Sequence, residues 1–153
     1  MPDMTLSDYL DPAAIELNLK AKKKDGVLDE LVSLVCETPE ARGIAFELAK
    51  TRESLGSTGI GMEIAIPHLR ATIFPSIRLA YGRSKAGVEF GAVDGKKVKH
   101  FFLVASPPVD PSNLYHPILA KVVQIVKAEK NREALAACDS KAALLNLIDE
   151  LGT

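Results

Sequence analysis

The sequence predicts an α/β protein, a three-layer α/β/α sandwich with a mixed central sheet. Three observations carry this. Apolar residues recur at helical spacing towards both ends of the chain, while strand-like runs fill its middle. An early alternating segment, residues 14–20, puts Ile15, Leu17 and Leu19 on one face, and two helical stretches separate it from the later strands. The run around Phe101 and Phe102 is apolar enough for a strand covered on both sides. Strands brought together across intervening helices call for helices on both faces of one sheet.

Element by element, residues 5–10 read as a short opening helix closed by Pro12. Residues 25–37 carry Leu28, Leu31, Val32 and Val35 at helical spacing. Thr38 followed by Pro39 is an N-cap and a first-turn proline, so a second helix covers residues 39–51, with Ala45, Phe46, Leu48 and Ala49 inward. Residues 63–67 and 77–83 read as strands. Asp94-Gly95 is a turn before a strand at residues 98–106, and Pro107, Pro108 and Pro111 force a loop. Helices follow at 112–128, 129–137 and, capped by Ser140, over the C-terminal Leu144, Leu147, Ile148 and Leu151.

The chain of 153 residues suits one domain over 1–153, with hydrophobic residues at 47% and charged residues at 25%. A net charge of −1 argues against a large basic nucleic-acid face. No apolar run is long enough to cross a bilayer and no signal segment opens the chain, so the expectation is a cytoplasmic protein without direct membrane insertion. Cys36 and Cys138 lie in no metal-binding or redox pattern and read as two buried thiols. Lys22, Lys23 and Lys24 read as the solvated entrance of a helix.

One stretch departs from this ordinary pattern, "GSTGIGMEIAIPHLR", residues 56–70. Gly56, Gly59 and Gly61 allow backbone N–H groups to converge, and Ser57 and Thr58 add hydroxyl donors, so the stretch is either a plain turn or an anion cradle. No lysine follows as in a P-loop, and no GxGxxG is present. His68 follows Pro67, where strand pairing should stop, and should project from a strand end. Its imidazole is a competent nucleophile near neutral pH. Nothing at ligand spacing surrounds it, so no metal is expected. Arg52 either binds an anion over the glycine loop or interacts with the C-terminal dipole of its helix; Arg70 is open in the same way. His100 sits within an apolar strand and either points out of the core or makes a satisfied hydrogen bond. His116 opens a helix after the proline loop and faces whatever lies beyond the strand ends.

Taken together, "TRESLGSTGIGMEIAIPHLR" resembles the phosphoryl-accepting site of enzyme IIA proteins of the mannitol/fructose type, from the bacterial phosphoenolpyruvate phosphotransferase system. The opening "TLSDYLDPAAIELNLKAKKKDGVLDELVSLV" is similar to the stand-alone nitrogen-regulatory branch. "VEFGAVDGKKVKHFFLVASP" resembles the family's Asp-Gly turn and central strand, and "LYHPILAKVVQIV" the region of its second active-site histidine. The resemblance implies phosphorylation of His68 on Nε2 by a small histidine phosphocarrier protein. It implies His116 as the neighbouring histidine and Arg52 as the phosphate-binding cation. Ser57, Thr58 and Gly59 would lie around the phosphoryl group, with no cofactor. The phosphoryl group would then serve regulation of target proteins, the choice favoured by the opening segment and by the lack of a fused transport domain, or pass to a sugar permease component. Glu63 stands where the family usually has glycine. Its carboxylate either repels a phosphoryl group, as in an interaction module that is not phosphorylated, or points to solvent.

Overall fold

The computed structural model describes residues 5–111 and 113–152. Short 3-10 turns at Leu6–Asp8 and Pro12–Ala14 lead into strand β1, Ile15–Glu16, followed by helices α1, Lys24–Ser33, and α2, Pro39–Ser54. Three short strands come next: β2, Gly59–Gly61; β3, Ile64–Ala65; and β4, His68–Arg70. Two long ones follow, β5, Arg78–Val88, and β6, Val98–Ser106. Helices α3, Tyr115–Val126, α4, Glu129–Ala137, and α5, Lys141–Leu151, close the fold.

The sheet order is β1-β5-β6-β3-β2, and β4 also pairs with β6. β5 and β6 are antiparallel, whereas β1 runs parallel to β5, and β3 and β4 run parallel to β6. The sheet is therefore mixed, as the sequence predicts. Eight of the nine β6 residues are buried, which requires cover on both faces. The pairing shows what supplies it. A Cβ on Gly82 would press on Leu31 of α1, so one face lies under α1. The next residue of β5, Arg83, points the other way and donates to the carbonyls of Leu135, Ala136 and Cys138 at the end of α4. These carbonyls lie at the negatively polarised end of a helix, which makes a buried guanidinium tolerable there.

The caps read from sequence are present: Thr38 accepts the Ala41 amide and Ser140 the Ala143 amide. Other expectations need correction. The opening helix is a single 3-10 turn, and the strand expected over residues 14–20 narrows to Ile15 and Glu16, the two residues in ladder register with β5, although the Leu19 amide still donates to the Arg83 carbonyl. β5 extends to Val88. Leu48 of α2 is exposed at 39%, since Ala45 and Ala49 fill the face that meets the core. The start expected for α3, Ser112, lies outside the described residues, and the helix begins at Tyr115.

The glycine stretch is not a loop throughout. Gly59–Gly61 forms β2, an antiparallel partner of β3, closed by a two-residue turn at Met62 and Glu63. Nor does Pro67 end the strand. Ile64 and Ala65 pair with His100 and Phe101, and after the break His68, Leu69 and Arg70 pair with Val104, Ala105 and Ser106 in unchanged register. One ladder bond is missing because proline has no N–H, but its carbonyl accepts from the Val104 amide and the ladder resumes.

Candidate functional site

β2 covers β3 and stops, so the outer edge of β4 carries no further strand among the described residues. His68, the first residue of β4, stands at this edge, half-buried. The end of α2 lies against it. Arg52 and Glu53 are consecutive on the last turn and point in different directions. Arg52 donates through Nε to His68 Nε2 at 3.2 Å and through Nη1 to the carbonyl of Gly56 at 3.0 Å. Glu53 is buried, accepts the Thr58 amide at 3.1 Å and the Thr58 hydroxyl, and pairs with Lys24 at 3.0 Å. Lys24 also lies 4.8 Å from the centre of the Phe90 ring. A buried carboxylate thus holds α1, α2 and the glycine stretch together, with several partners to offset its loss of water.

The other nitrogen of His68, Nδ1, lies 3.2 Å from the Ile66 carbonyl. A carbonyl can only accept, so Nδ1 carries the proton and Nε2 presents a lone pair to Arg52. Burial holds the His68 pKa below the usual imidazole value. The Ile66 bond opposes this, and the charges of Arg52 and Arg70 add to the lowering. At neutral pH the ring is uncharged.

Tyr115, the first residue of α3, is the aromatic neighbour of His68. Their ring centres are 6.0 Å apart in an edge-to-face arrangement. The Tyr115 amide is held by the Asp110 carboxylate at 2.9 Å, and the Arg70 guanidinium lies 4.1 Å from the centre of the Tyr115 ring. His116 is exposed and packs against Tyr115 with ring centres 5.4 Å apart. Among the described residues no ring contact or hydrogen bond joins His116 to His68. The structure therefore brings Arg52, Tyr115 and Arg70 to His68, and Tyr115, rather than His116, takes the position against it. One step along a helix turns a side chain by about 100°, so a start at Tyr115 directs that ring to the sheet and its successor to solvent.

The three expected phosphate contacts are occupied internally. The Ser57 hydroxyl donates to the Phe90 carbonyl and accepts the Gly59 amide at 3.0 Å, while both Thr58 donors go to Glu53. Their hydrogen bonds fix the shape of the segment between Arg52 and His68. Glu63 lies on the turn between β2 and β3, and its carboxylate pairs with Lys99 at 3.2 Å. Of the two expectations for Glu63, the solvent-facing one describes the structure. Both thiols are free and half-buried, and burial pushes their pKa values up. Among the described residues no cluster of side chains could hold a metal ion, and no helix is long and apolar enough to cross a membrane.

Fold and site define an α/β protein with a neutral, tautomer-fixed histidine on a sheet edge beside two arginines. Residues 8–151 match the family described as "Phosphoenolpyruvate-dependent sugar phosphotransferase system, EIIA 2", and the chain belongs to that family. It is 30% identical over 149 residues to the "PTS system fructose-specific EIIABC component" of Bacillus subtilis (strain 168), covering 96% of this chain but only 23% of that relative's length. It is 32% identical over 146 residues to a "Nitrogen regulatory protein" of Pseudomonas aeruginosa, covering 94% of each. Among solved structures, the nitrogen regulatory protein IIA-Ntr of Neisseria meningitidis superposes with a TM-score of 0.86 at 27% identity, over 93% of this chain and 97% of the other. The family thus includes both nitrogen-regulatory and sugar-specific relatives of this chain.

Proposed function

We propose that the protein is a histidine phosphocarrier that accepts a phosphoryl group on Nε2 of His68 from a phosphohistidine of a small carrier protein, in a regulatory role. The observation that carries this reading is the pair of bonds on one ring, Nδ1 to the Ile66 carbonyl and Nε2 to Arg52. The Nε2 lone pair attacks phosphorus. The P–N bond to the donor ring breaks, and its electron pair returns to that ring, which leaves as neutral imidazole when its other nitrogen is protonated. No proton leaves His68: Nδ1–H stays on Ile66, and the positive charge gained by the ring faces that carbonyl. In a loose transition state the charge spreads over the phosphoryl oxygens, so catalysis is positioning and electrostatics. Arg52 passes its donor from Nε2 to a phosphoryl oxygen.

No metal or cofactor enters these steps. The regulatory role is supported by full-length similarity to the Pseudomonas aeruginosa nitrogen regulatory protein. Passage of the phosphoryl group to a sugar permease component is the second reading, favoured by the fructose-specific relative. A relay driven by phosphoenolpyruvate draws on a cytoplasmic metabolite, which supports a cytoplasmic location. Glu63, the feature that favoured an unphosphorylated interaction module, is engaged by Lys99 and leaves that reading without its argument.

The test is incubation with phosphoenolpyruvate, enzyme I and the small histidine carrier, read by intact mass. An acid-labile phosphate gain that disappears in His68→Ala is expected. No gain in the wild-type chain overturns the proposal.

A further inference from the structure

We propose that Arg70 and Tyr115 form a second phosphoryl-holding pair at His68, so that Arg70 and the Tyr115 hydroxyl contact the group from the side opposite Arg52. The inference rests on the phosphocarrier reading and concerns residues to which that reading assigns nothing.

Alternation along β4 places His68 and Arg70 on one face of the strand, with Leu69 buried behind it. That face meets the start of α3. The Arg70 guanidinium lies over the Tyr115 ring at 4.1 Å, and the same ring stands edge-to-face with His68 at 6.0 Å. The ring holds the guanidinium by a cation–π contact, and Arg70 also donates to the Tyr115 hydroxyl. A guanidinium has five N–H donors, so that bond leaves others for an anion. The stacked contact also restrains a long side chain that would otherwise lose its rotamer freedom on binding a phosphoryl group.

Charge supports the same arrangement. A phosphoryl group on Nε2 brings up to two negative charges to a site where Arg52 supplies one cation, already shared with the Gly56 carbonyl. The fields of both Arg52 and Arg70 reach the His68 ring. Glu53, the acidic group whose field also reaches it, is committed to Thr58 and Lys24. Burial raises the Tyr115 pKa above that of a free phenol, so its hydroxyl stays protonated and is a donor. His116, exposed beyond Tyr115, is not needed for this geometry.

The experiment compares the wild-type chain with Arg70→Gln, Arg70→Lys, Tyr115→Phe and His116→Ala. Enzyme I, the small carrier and phosphoenolpyruvate supply the phosphoryl group, and rapid quench gives the transfer rate. The ³¹P shift of phosphorylated His68 and thermal unfolding are recorded for each. Loss of one charged donor predicts a rate about tenfold lower for Arg70→Gln, partial recovery in Arg70→Lys, and a rate about threefold lower for Tyr115→Phe. The ³¹P shift moves in Arg70→Gln although unfolding does not, which a merely structural role would not produce. His116→Ala loses less than either Arg70→Gln or Tyr115→Phe, because its ring reaches Tyr115 and not His68. Wild-type rates and shifts in both Arg70→Gln and Tyr115→Phe overturn the inference while leaving the phosphocarrier reading intact, as does a larger loss in His116→Ala than in either. A wild-type chain that takes up no phosphoryl group overturns both.

Discussion

Arg52 donates its Nε–H to Nε2 of His68 at 3.2 Å, so the nitrogen with the free lone pair is covered by the cation proposed to stabilise its phosphorylated form. A cation at this distance lowers the proton affinity of the ring, but burial is the larger cause. Arg52→Gln should therefore raise the His68 pKa only part of the way to the usual imidazole value, as followed by NMR titration of the ring. Phosphoryl transfer should fall about a hundredfold, the scale of losing one preorganised donor to a developing anion. In the wild type, acceptance should hold through neutral pH and decline on acidification as the depressed pKa is passed, since only the neutral ring attacks. A transfer rate in Arg52→Gln equal to wild type would refute the electrostatic role.

Glu63 occupies the left-handed region at φ 65°, next to Met62 at φ 58°, in the turn that joins β2 to β3. Positive φ at both central residues is the signature of turns that favour Asn-Gly. Relief of a left-handed strain of about 1–2 kcal/mol exceeds the greater unfolded-state freedom of glycine, about 0.5–1 kcal/mol. The exposed Lys99 pair adds little. Glu63→Gly should thus stabilise the fold by about 0.5–1 kcal/mol in urea unfolding. It should leave phosphorylation of His68 unchanged, because the carboxylate is engaged by Lys99. A destabilised variant would mean that the ion pair outweighs the strain.

His100 makes the stability of the fold depend on pH. It is 3% exposed, lies 2.7 Å from the Tyr81 hydroxyl, and burial lowers its pKa to about 4, opposed by Glu63 and assisted by Arg83, Lys99 and Arg132. The unfolded chain binds this proton near pH 6.5 and the folded chain only near pH 4. The stabilising contribution is therefore complete above 6.5 and is lost as pH falls between those values, about 3 kcal/mol in all. His100→Gln should be less stable at neutral pH, where its Tyr81 bond is altered, but should show a shallower loss of stability between pH 6.5 and 4. Parallel wild-type and variant curves would exclude the assignment.

Much of the fold was legible because its signals are local. Thr38 and Ser140 cap the helices they precede, and residues 98–106 form one buried strand around the continuous apolar run 101–105. What escaped depends on partners far away in the chain. Gly59–Gly61 looks flexible by composition and becomes a strand only because β3 folds back onto it. Glu53 reads as an ordinary helix-end charge until Lys24, remote in sequence, and Thr58 meet it inside the protein. His68 and Arg52 could be marked from chemistry and resemblance. Tyr115 could not be separated from His116 without the starting residue of α3, since one position decides which ring turns inward.

Gly59 offers the sharpest separation of two roles that sequence alone leaves merged. As a phosphate ligand it would matter through its amide, yet that amide is bonded to the Ser57 hydroxyl at 3.0 Å. What the position requires is closeness: a Cβ there would lie 2.9 Å from Ala92 Cβ and 3.0 Å from Ala92 Cα, and the Gly59 carbonyl accepts from the Val93 amide. Because the second of those atoms belongs to the backbone, the clash cannot be relieved by a side-chain rotation alone. Gly59→Ala should cost about 1–3 kcal/mol, as overpacking does elsewhere. The displaced segment carries Ser57 and Thr58, so the Glu53 cluster should loosen with it. Below the unfolding transition, however, the folded fraction should accept phosphoryl groups at close to the wild-type rate, because Nε2 of His68, Arg52 and the Ile66 carbonyl lie outside the clash. Unfolding curves and single-turnover transfer on the same sample read the two quantities independently. A stable Gly59→Ala variant that transfers poorly would return the glycine to the phosphoryl site.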